Sequence, residues 1–132
     1  TEMHIALDET LSNTELGSRE FAPIARCASA FVAKPTLLGG MAALATLDAL
    51  ATELSIPLVI SSAFESGVGT AALVQWAAAL RSADTHAGLG TGGWFTNDIA
   101  SPPLRVAEGR VHVDEAAATR PDLANMHEVA RV

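Results

Sequence analysis

The chain has 132 residues, 49% of them hydrophobic but only 5% aromatic, so helices packed on a sheet are favoured over an aromatic-rich β-sandwich. A net charge of −7 argues against binding to a nucleic-acid backbone, and the single cysteine, Cys27, excludes an internal disulfide framework and a cysteine-based zinc site. No apolar run reaches the ~20 residues of a membrane span and no basic leader precedes one, so we expect a cytoplasmic protein that binds neither nucleic acid nor membrane.

The first hundred residues alternate between strand-like and helix-like segments. Strands are predicted over residues 3–9, 29–34, 56–62 and 86–92. Helices are predicted over residues 13–28, 39–54 and 69–82. The first helix is expected to be capped by Asn13 or Thr14 and broken near Pro23. The third strand is continuously apolar, which is typical of a strand buried on both faces.

This alternation indicates βα units around a parallel sheet, either an open doubly wound sheet or part of a (β/α)₈ barrel. Residues 1–100 contain these units. Residues 101–132 differ in pattern, since residues 102–113 predict a β-hairpin around Glu108-Gly109. Residues 121–132 predict a short terminal helix capped near Asp122.

In both candidate folds the functional face lies at the C-terminal ends of the strands. The first strand ends in Asp8 and Glu9, and the second ends in Lys34. The third ends in the serine pair Ser61-Ser62, with Glu65 just beyond, and the fourth enters a glycine-rich turn. Carboxylates, a lysine and hydroxyls at one edge would suit a metal ion and an anionic substrate.

Each of these residues also has a plain structural role open to it. Asp8 can cap the following helix, and Glu9 can be a solvated charge or can orient a metal ligand. Lys34 can extend its ammonium into solvent along its aliphatic stem. The two serines can satisfy backbone groups at a strand end, and Glu65 can be an ordinary loop charge or, like Glu9, can orient a metal ligand.

Four segments together resemble a known family. The segments "IALDETL", "AFVAKPTLLGG", "LVISSAFESGVG" and "AGLGTGGWF", in this order over residues 3–95, are similar to the second half of the o-succinylbenzoate synthase family in the enolase superfamily. The pattern "DE(S/T)" after one strand and "K-P-x-x-L-G-G" after the next is a superfamily feature. The pattern "SSxxES" points to the synthases rather than to their racemase and epimerase relatives.

The resemblance implies a (β/α)₈ barrel whose fifth to eighth strands are the four predicted here, followed by the hairpin and tail. Asp8 then matches a metal-binding carboxylate. Lys34 matches the lysine that stabilises the reaction intermediate. Ser61, Ser62 and Gly88 match positions that contact the carboxylate-bearing arm of the substrate.

The reaction implied by the resemblance is a syn dehydration. With Mg²⁺ (or Mn²⁺), a small dicarboxylate, 2-succinyl-6-hydroxy-2,4-cyclohexadiene-1-carboxylate, passes through an enediolate to o-succinylbenzoate, an intermediate of menaquinone synthesis. The family's base lysine and two further metal carboxylates would lie upstream of this sequence. The remaining N-terminal half of the barrel is therefore an expected partner, and the segment alone is expected to be inactive.

Two alternatives stay open. Another enolase-superfamily enzyme, such as an N-acylamino acid racemase, a dipeptide epimerase or a cycloisomerase, would use Lys34 as a proton-transferring base. A non-catalytic α/β binding or assembly module would place the side chains of Asp8 and Lys34 far apart, with no room for a metal between them.

Overall fold

The computed structural model describes residues 3–80 and 86–125, which form the α/β structure expected from the sequence. The strands are β1 (Ala6–Leu7), β2 (Ala30–Ala33), β3 (Leu58–Ile60), β4 (Ala100–Ser101) and β5 (Arg120–Pro121). The α-helices are α1 (Glu9–Asn13), α2 (Phe21–Arg26), α3 (Pro35–Leu38), α4 (Met41–Leu54), α5 (Gly67–Ala79) and α6 (Val113–Ala118). Short 3₁₀ helices cover Gly92–Trp94 and Leu123–Asn125.

The first three strands form a parallel sheet in chain order, β1-β2-β3. Leu7 pairs with Phe31, which in turn pairs with Leu58. A parallel bridge between Ser61 and Gly88 extends the sheet by one position, so the fourth predicted strand is reduced to a single bridge in the described residues. Because helices connect these parallel strands, all of their C-terminal ends lie at one edge.

The hydrophobic core lies on one face of this sheet. Alternate residues of β2 and β3 are buried there, namely Phe31, Ala33, Leu58 and Ile60. They share one cluster with Leu44, Leu47 and Ala51 of α4 and Leu73 of α5. On the opposite face Ala30, Val32 and Val59 are only half-buried. The prediction that β3 is buried on both faces is therefore wrong for the described chain, since the core cluster covers one face only.

The helix predicted over residues 13–28 is two helices. Asn13 ends α1 instead of starting a helix, and Gly17, with φ +85°, lies in the connection to α2. The Ser18 hydroxyl accepts the Phe21 N–H at 3.1 Å and so marks the start of α2. The predicted break near Pro23 is wrong, because Pro23 falls in the first turn of α2, where no N–H is required of it.

The two strong helix predictions hold with small shifts. Gly39 and Gly40 have φ of +97° and +95°, so they separate α3 from α4, which begins at Met41. The helix α5 begins at Gly67, two residues before its predicted start, and its predicted end at residue 82 lies outside the described residues. No helix within the described ranges is long and apolar enough to cross a membrane.

The C-terminal segment differs most from its prediction. Glu108 and Gly109 form a tight turn with positive φ, but a single bridge between Ala107 and Arg110 replaces the predicted hairpin. Proline lacks the N–H that strand pairing needs, so the Pro-Pro sequence before this turn disfavours longer strands. The chain then forms α6, and β4 and β5 pair antiparallel. Of the predicted terminal helix, residues 126–132 lie outside the described residues.

The C-terminal segment is anchored on α5. Ala116 of α6 packs against Ala71 and Val74 of α5. The Asp98 carboxylate accepts the Gly67 N–H at 2.8 and 3.0 Å, at the positive end of the α5 dipole. Gly67 leaves no room for a side chain, because a Cβ there would lie 2.7 Å from the Cβ of Ala100 and would also meet the Asp98 carboxylate. The boundary near residue 100 stays a prediction.

We predict that Asp98→Ala lowers the free energy of unfolding by about 1 kcal/mol, since α5 loses a helix-terminal acceptor. Urea denaturation of the protein carrying this chain measures the change. Glu15→Ala, which removes an exposed loop carboxylate, is the matched control and should shift stability by less than about 0.5 kcal/mol. Equal effects of the two substitutions would contradict the anchoring role of Asp98.

Candidate active site

An ion pair joins the ends of the first two strands. Lys34 Nζ lies 2.5 Å from Asp8 Oδ1 and 2.6 Å from Oδ2, with the side chains 22% and 34% exposed. Asp8 precedes α1 but its side chain makes no capping hydrogen bond, so the capping alternative is wrong. Lys34 extends to a carboxylate instead of bulk solvent. The two side chains are in contact, so the separation expected for a non-catalytic module is also wrong.

Local structure explains why the two charges meet. β1 and β2 are neighbours in parallel register, so the residues that follow them emerge side by side. Pro35 begins α3 and holds Lys34 extended, and the Lys34 carbonyl accepts the N–H groups of Leu37 and Leu38. A half-buried ammonium is costly without a partner, and the Asp8 carboxylate offsets that cost.

The sheet uses the backbone N–H groups of both serines. Ser61 N–H donates to the Ala33 carbonyl at 2.8 Å, and Ser62 N–H donates to the Gly88 carbonyl at 2.9 Å. Gly88 N–H donates to the Ile60 carbonyl at 2.8 Å. These three N–H groups are therefore engaged, so the hydrogen-bond donors that the serines can offer to a ligand are their hydroxyls. A Cβ on Gly88 would lie 3.1 Å from Ser61 Oγ, so a larger residue there would crowd that hydroxyl.

The two serine hydroxyls are not equivalent. Ser62 is 5% exposed, and its Oγ donates to Glu65 Oε2 at 2.5 Å and lies 2.7 Å from Thr91 Oγ1. Ser61 is half-buried, and among the described residues its Oγ makes only a long 3.4 Å contact with the Gly88 carbonyl. The Ser61 hydroxyl can therefore still form a strong hydrogen bond to a ligand, whereas the Ser62 hydroxyl is already bonded within the protein.

Glu65 lies at the centre of a network that ties three strand-end loops together. Its Oε1 accepts from Thr36 Oγ1 at 2.6 Å, and its Oε2 accepts from the Ala63 N–H at 2.6 Å as well as from Ser62. Burial acts to raise the pKa of Glu65, but the hydrogen bonds from Ser62, Thr36 and backbone N–H groups outweigh it and lower the pKa. Glu65 is therefore no ordinary loop charge.

The sequence did not single out Thr36 and Thr91. Both are short hydroxyl residues shortly after a sheet position, Thr36 in the first turn of α3 and Thr91 just before a 3₁₀ helix, and this was the signal that could have pointed to them. Glu9, by contrast, is exposed in the first turn of α1, where the helix dipole favours a carboxylate. The proposed role of Glu9 stays a prediction.

The residue types present do not complete a metal site. Over residues 3–80 and 86–125, no three His, Cys, Asp or Glu side chains are grouped so that they could hold a metal ion. Asp8 offers one carboxylate, already engaged by Lys34, whereas Mg²⁺ prefers an octahedral set of hard oxygen ligands. A complete Mg²⁺ site would need ligands from outside the described residues.

Comparison with known proteins decides the family. A family model described as "Enolase C-terminal domain-like" matches residues 1–118. The chain belongs to this family. It is 42% identical over 123 residues to o-succinylbenzoate synthases of Mycobacterium bovis and Mycobacterium tuberculosis, covering 92% of this chain and 35% of each relative. The synthase of Mycobacterium ulcerans is 43% identical over 107 residues, covering 80% of this chain and 31% of that protein.

These matches confirm the resemblance carried by the four sequence segments. The chain spans about a third of the length of these curated relatives, as the 35% coverage shows. The roles of Asp8, Lys34, Ser61, Ser62, Gly88 and Glu65 in a reaction stay predictions, although the structure places all six at the C-terminal edge of the sheet.

The lowered pKa of Glu65 predicts a pH-dependent stability. A carboxyl whose folded-state pKa is depressed contributes stability above its unfolded pKa and loses it as pH falls through the folded value. The advantage of the wild type over Glu65→Gln in the free energy of unfolding should therefore be full above pH 4.5, the ordinary value, and shrink below it. Denaturation series at several pH values measure this, and an advantage that grows on acidification would contradict the network.

The serine pair predicts that two similar substitutions differ strongly in their effect on stability. Ser62→Ala leaves Glu65 and Thr91 short of a partner and should destabilise the protein by about 1–3 kcal/mol. Ser61→Ala loses only a weak contact and should change stability by less than about 0.5 kcal/mol. Thermal unfolding of both variants checks this, and Ser61→Ala serves as the control for Ser62→Ala.

Proposed function

We propose that this chain contributes the lysine-bearing edge of an o-succinylbenzoate synthase. The observation that carries the proposal is the Asp8–Lys34 ion pair at adjacent strand ends, in a chain 42% identical to proteins of that name. The proposed reaction is the syn dehydration of 2-succinyl-6-hydroxy-2,4-cyclohexadiene-1-carboxylate. We propose that it takes place in the cytoplasm as a step of menaquinone synthesis. The activity belongs to the complete protein.

The proposed architecture is the second half of a (β/α)₈ barrel. The parallel strands in chain order, with helices between them, support this assignment. The sheet face that carries the half-buried residues Ala30, Val32 and Val59 also supports it, since this face would line the barrel interior. The N-terminal half of the barrel is then the partner that covers this face and pairs with the outer edge of β1.

Lys34 would act by charge in this reaction. Loss of the proton α to the ring carboxylate breaks a C–H bond, and the electron pair forms an enediolate. Expulsion of hydroxide then breaks the C–O bond and makes the ring aromatic. An ammonium beside the enediolate stabilises charge that is present in the transition state but not in the ground state, which lowers the barrier.

Asp8 would serve to hold the lysine in position. Its carboxylate fixes Nζ at the edge of the sheet before substrate arrives. Mg²⁺ or Mn²⁺ is the proposed cofactor, to which Asp8 could contribute one oxygen. The proton-accepting base and the other metal ligands would come from outside this chain, so the 132-residue chain alone should show no turnover when assayed with Mg²⁺ and substrate.

We predict that Lys34→Ala, made in the complete protein, lowers kcat by about 100-fold or more, because removing one group that stabilises developing charge has effects of that size. Stability should change by less than about 1 kcal/mol, since the ion pair is partly exposed. Arg19→Ala, which removes an exposed loop cation, is the control and should leave kcat unchanged.

The assay should follow both dehydration of the cyclohexadiene and racemisation of an N-acylamino acid. Dehydration lost in Lys34→Ala and retained in Arg19→Ala supports the proposed function. Racemisation without dehydration in the wild type would assign the chain to a racemase or epimerase. Full dehydration activity with reduced stability in Lys34→Ala would contradict the catalytic role of the lysine.

A further inference from the structure

We propose that Phe64, backed by Trp94, is the specificity-determining surface for the carbon skeleton of the substrate. This inference rests on the proposed function. Phe64 is 59% exposed and Trp94 is 78% exposed, yet their rings meet edge to face with centroids 6.3 Å apart and an interplanar angle of 81°. Edge-to-face contact is a favoured aromatic geometry, so the two rings form one apolar surface.

The backbone of Phe64 is unusual. Its φ is +65°, a left-handed conformation that bulky side chains rarely adopt. The neighbouring residues hold it there, because the Ala63 N–H and the Ser62 hydroxyl both donate to the Glu65 carboxylate. Backbone strain that is maintained by its surroundings is concentrated at ligand-binding sites.

Hydrogen bonds place this aromatic pair beside the charged edge. Thr36, two residues after Lys34, donates to Glu65, the residue after Phe64. Thr91, three residues before Trp94, lies 2.7 Å from the Ser62 hydroxyl. The loops that carry the two rings are therefore tied to the loops that carry the lysine and the serine pair.

This placement favours a small ligand with an apolar ring and carboxylates. A carboxylate can meet the Lys34 ammonium or the Ser61 hydroxyl, and the ring then needs an apolar surface close by. Asp8, Ser62 and Glu65 at this edge already have ion-pair or hydrogen-bond partners within the fold. The exposed aromatic pair supplies such a surface, and its rings have few rotatable bonds to order on binding.

The test uses the complete protein and two probes, o-succinylbenzoate and succinate, which lacks the ring. Phe64→Gly removes the ring, and the left-handed backbone suits glycine, so the turn should stay folded. We expect Phe64→Gly to weaken o-succinylbenzoate binding about tenfold and Trp94→Ala to weaken it less, while succinate binding stays within about twofold. Ile24→Ala, an exposed apolar residue of α2, is the control and should change neither.

A spectroscopic signal gives an independent readout. Binding of o-succinylbenzoate should change the tryptophan emission of the wild type, and most of that change should be absent in Trp94→Phe. Succinate should cause little change in either protein. Emission changes that are the same in Trp94→Phe and in the wild type would overturn the proposal.

Each other outcome is also decisive. A wild type that binds neither probe rules out the proposed function, and the specificity role fails with it. If the wild type and Phe64→Gly bind o-succinylbenzoate equally tightly, the specificity role alone is overturned. Equal losses for both probes, or a large drop in thermal stability of Phe64→Gly, would mean that the rings support the fold or pack against another protein segment, and would also overturn it.

Discussion

The edge of the sheet depends on one constraint, the compensation of a positive charge at the end of a buried strand. β2 is apolar and is followed directly by Lys34, whose ammonium cannot be left half-buried without a counter-charge. Parallel pairing of β1 with β2 meets this need, because it brings Asp8 to the same edge. The register of the sheet and the chemistry of its edge are therefore linked, since another register would separate the two charges.

Glu65 links the loops in the same way. One of its oxygens accepts from Thr36 in α3, which follows β2, and the other accepts from Ser62 in its own segment after β3. Thr91 extends the connection to the chain beyond Gly88. Loops at a strand edge are usually the mobile part of such a fold, and a shared carboxylate restricts them. The arrangement favours a pre-organised edge, in which little ordering is left to occur when a ligand binds.

How well the sequence predicted each part of this structure depends on how far apart in the sequence the residues that determine it lie. β2, α4, β3 and α5 were predicted because long local runs of apolar residues determine them. The helix over residues 13–28 was predicted as one piece because apolar periodicity was followed across two local signals that divide it, the positive φ of Gly17 and the Ser18 cap three residues before Phe21. The hairpin prediction located the Glu108-Gly109 turn correctly but was wrong about the paired strands. Turn residues alone do not produce strand pairing where prolines are nearby.

The site residues show the same division. Asp8 and Lys34 were found because each ends a predicted strand, and parallel topology then requires them to be near one another. Thr36 and Thr91 were missed because each meets the network across 29 residues of sequence. The difference in hydrogen bonding between Ser61 and Ser62 also needed coordinates. Adjacent serines look alike in a motif, and only their hydrogen bonds show that one hydroxyl is engaged within the fold while the other remains able to bind a ligand.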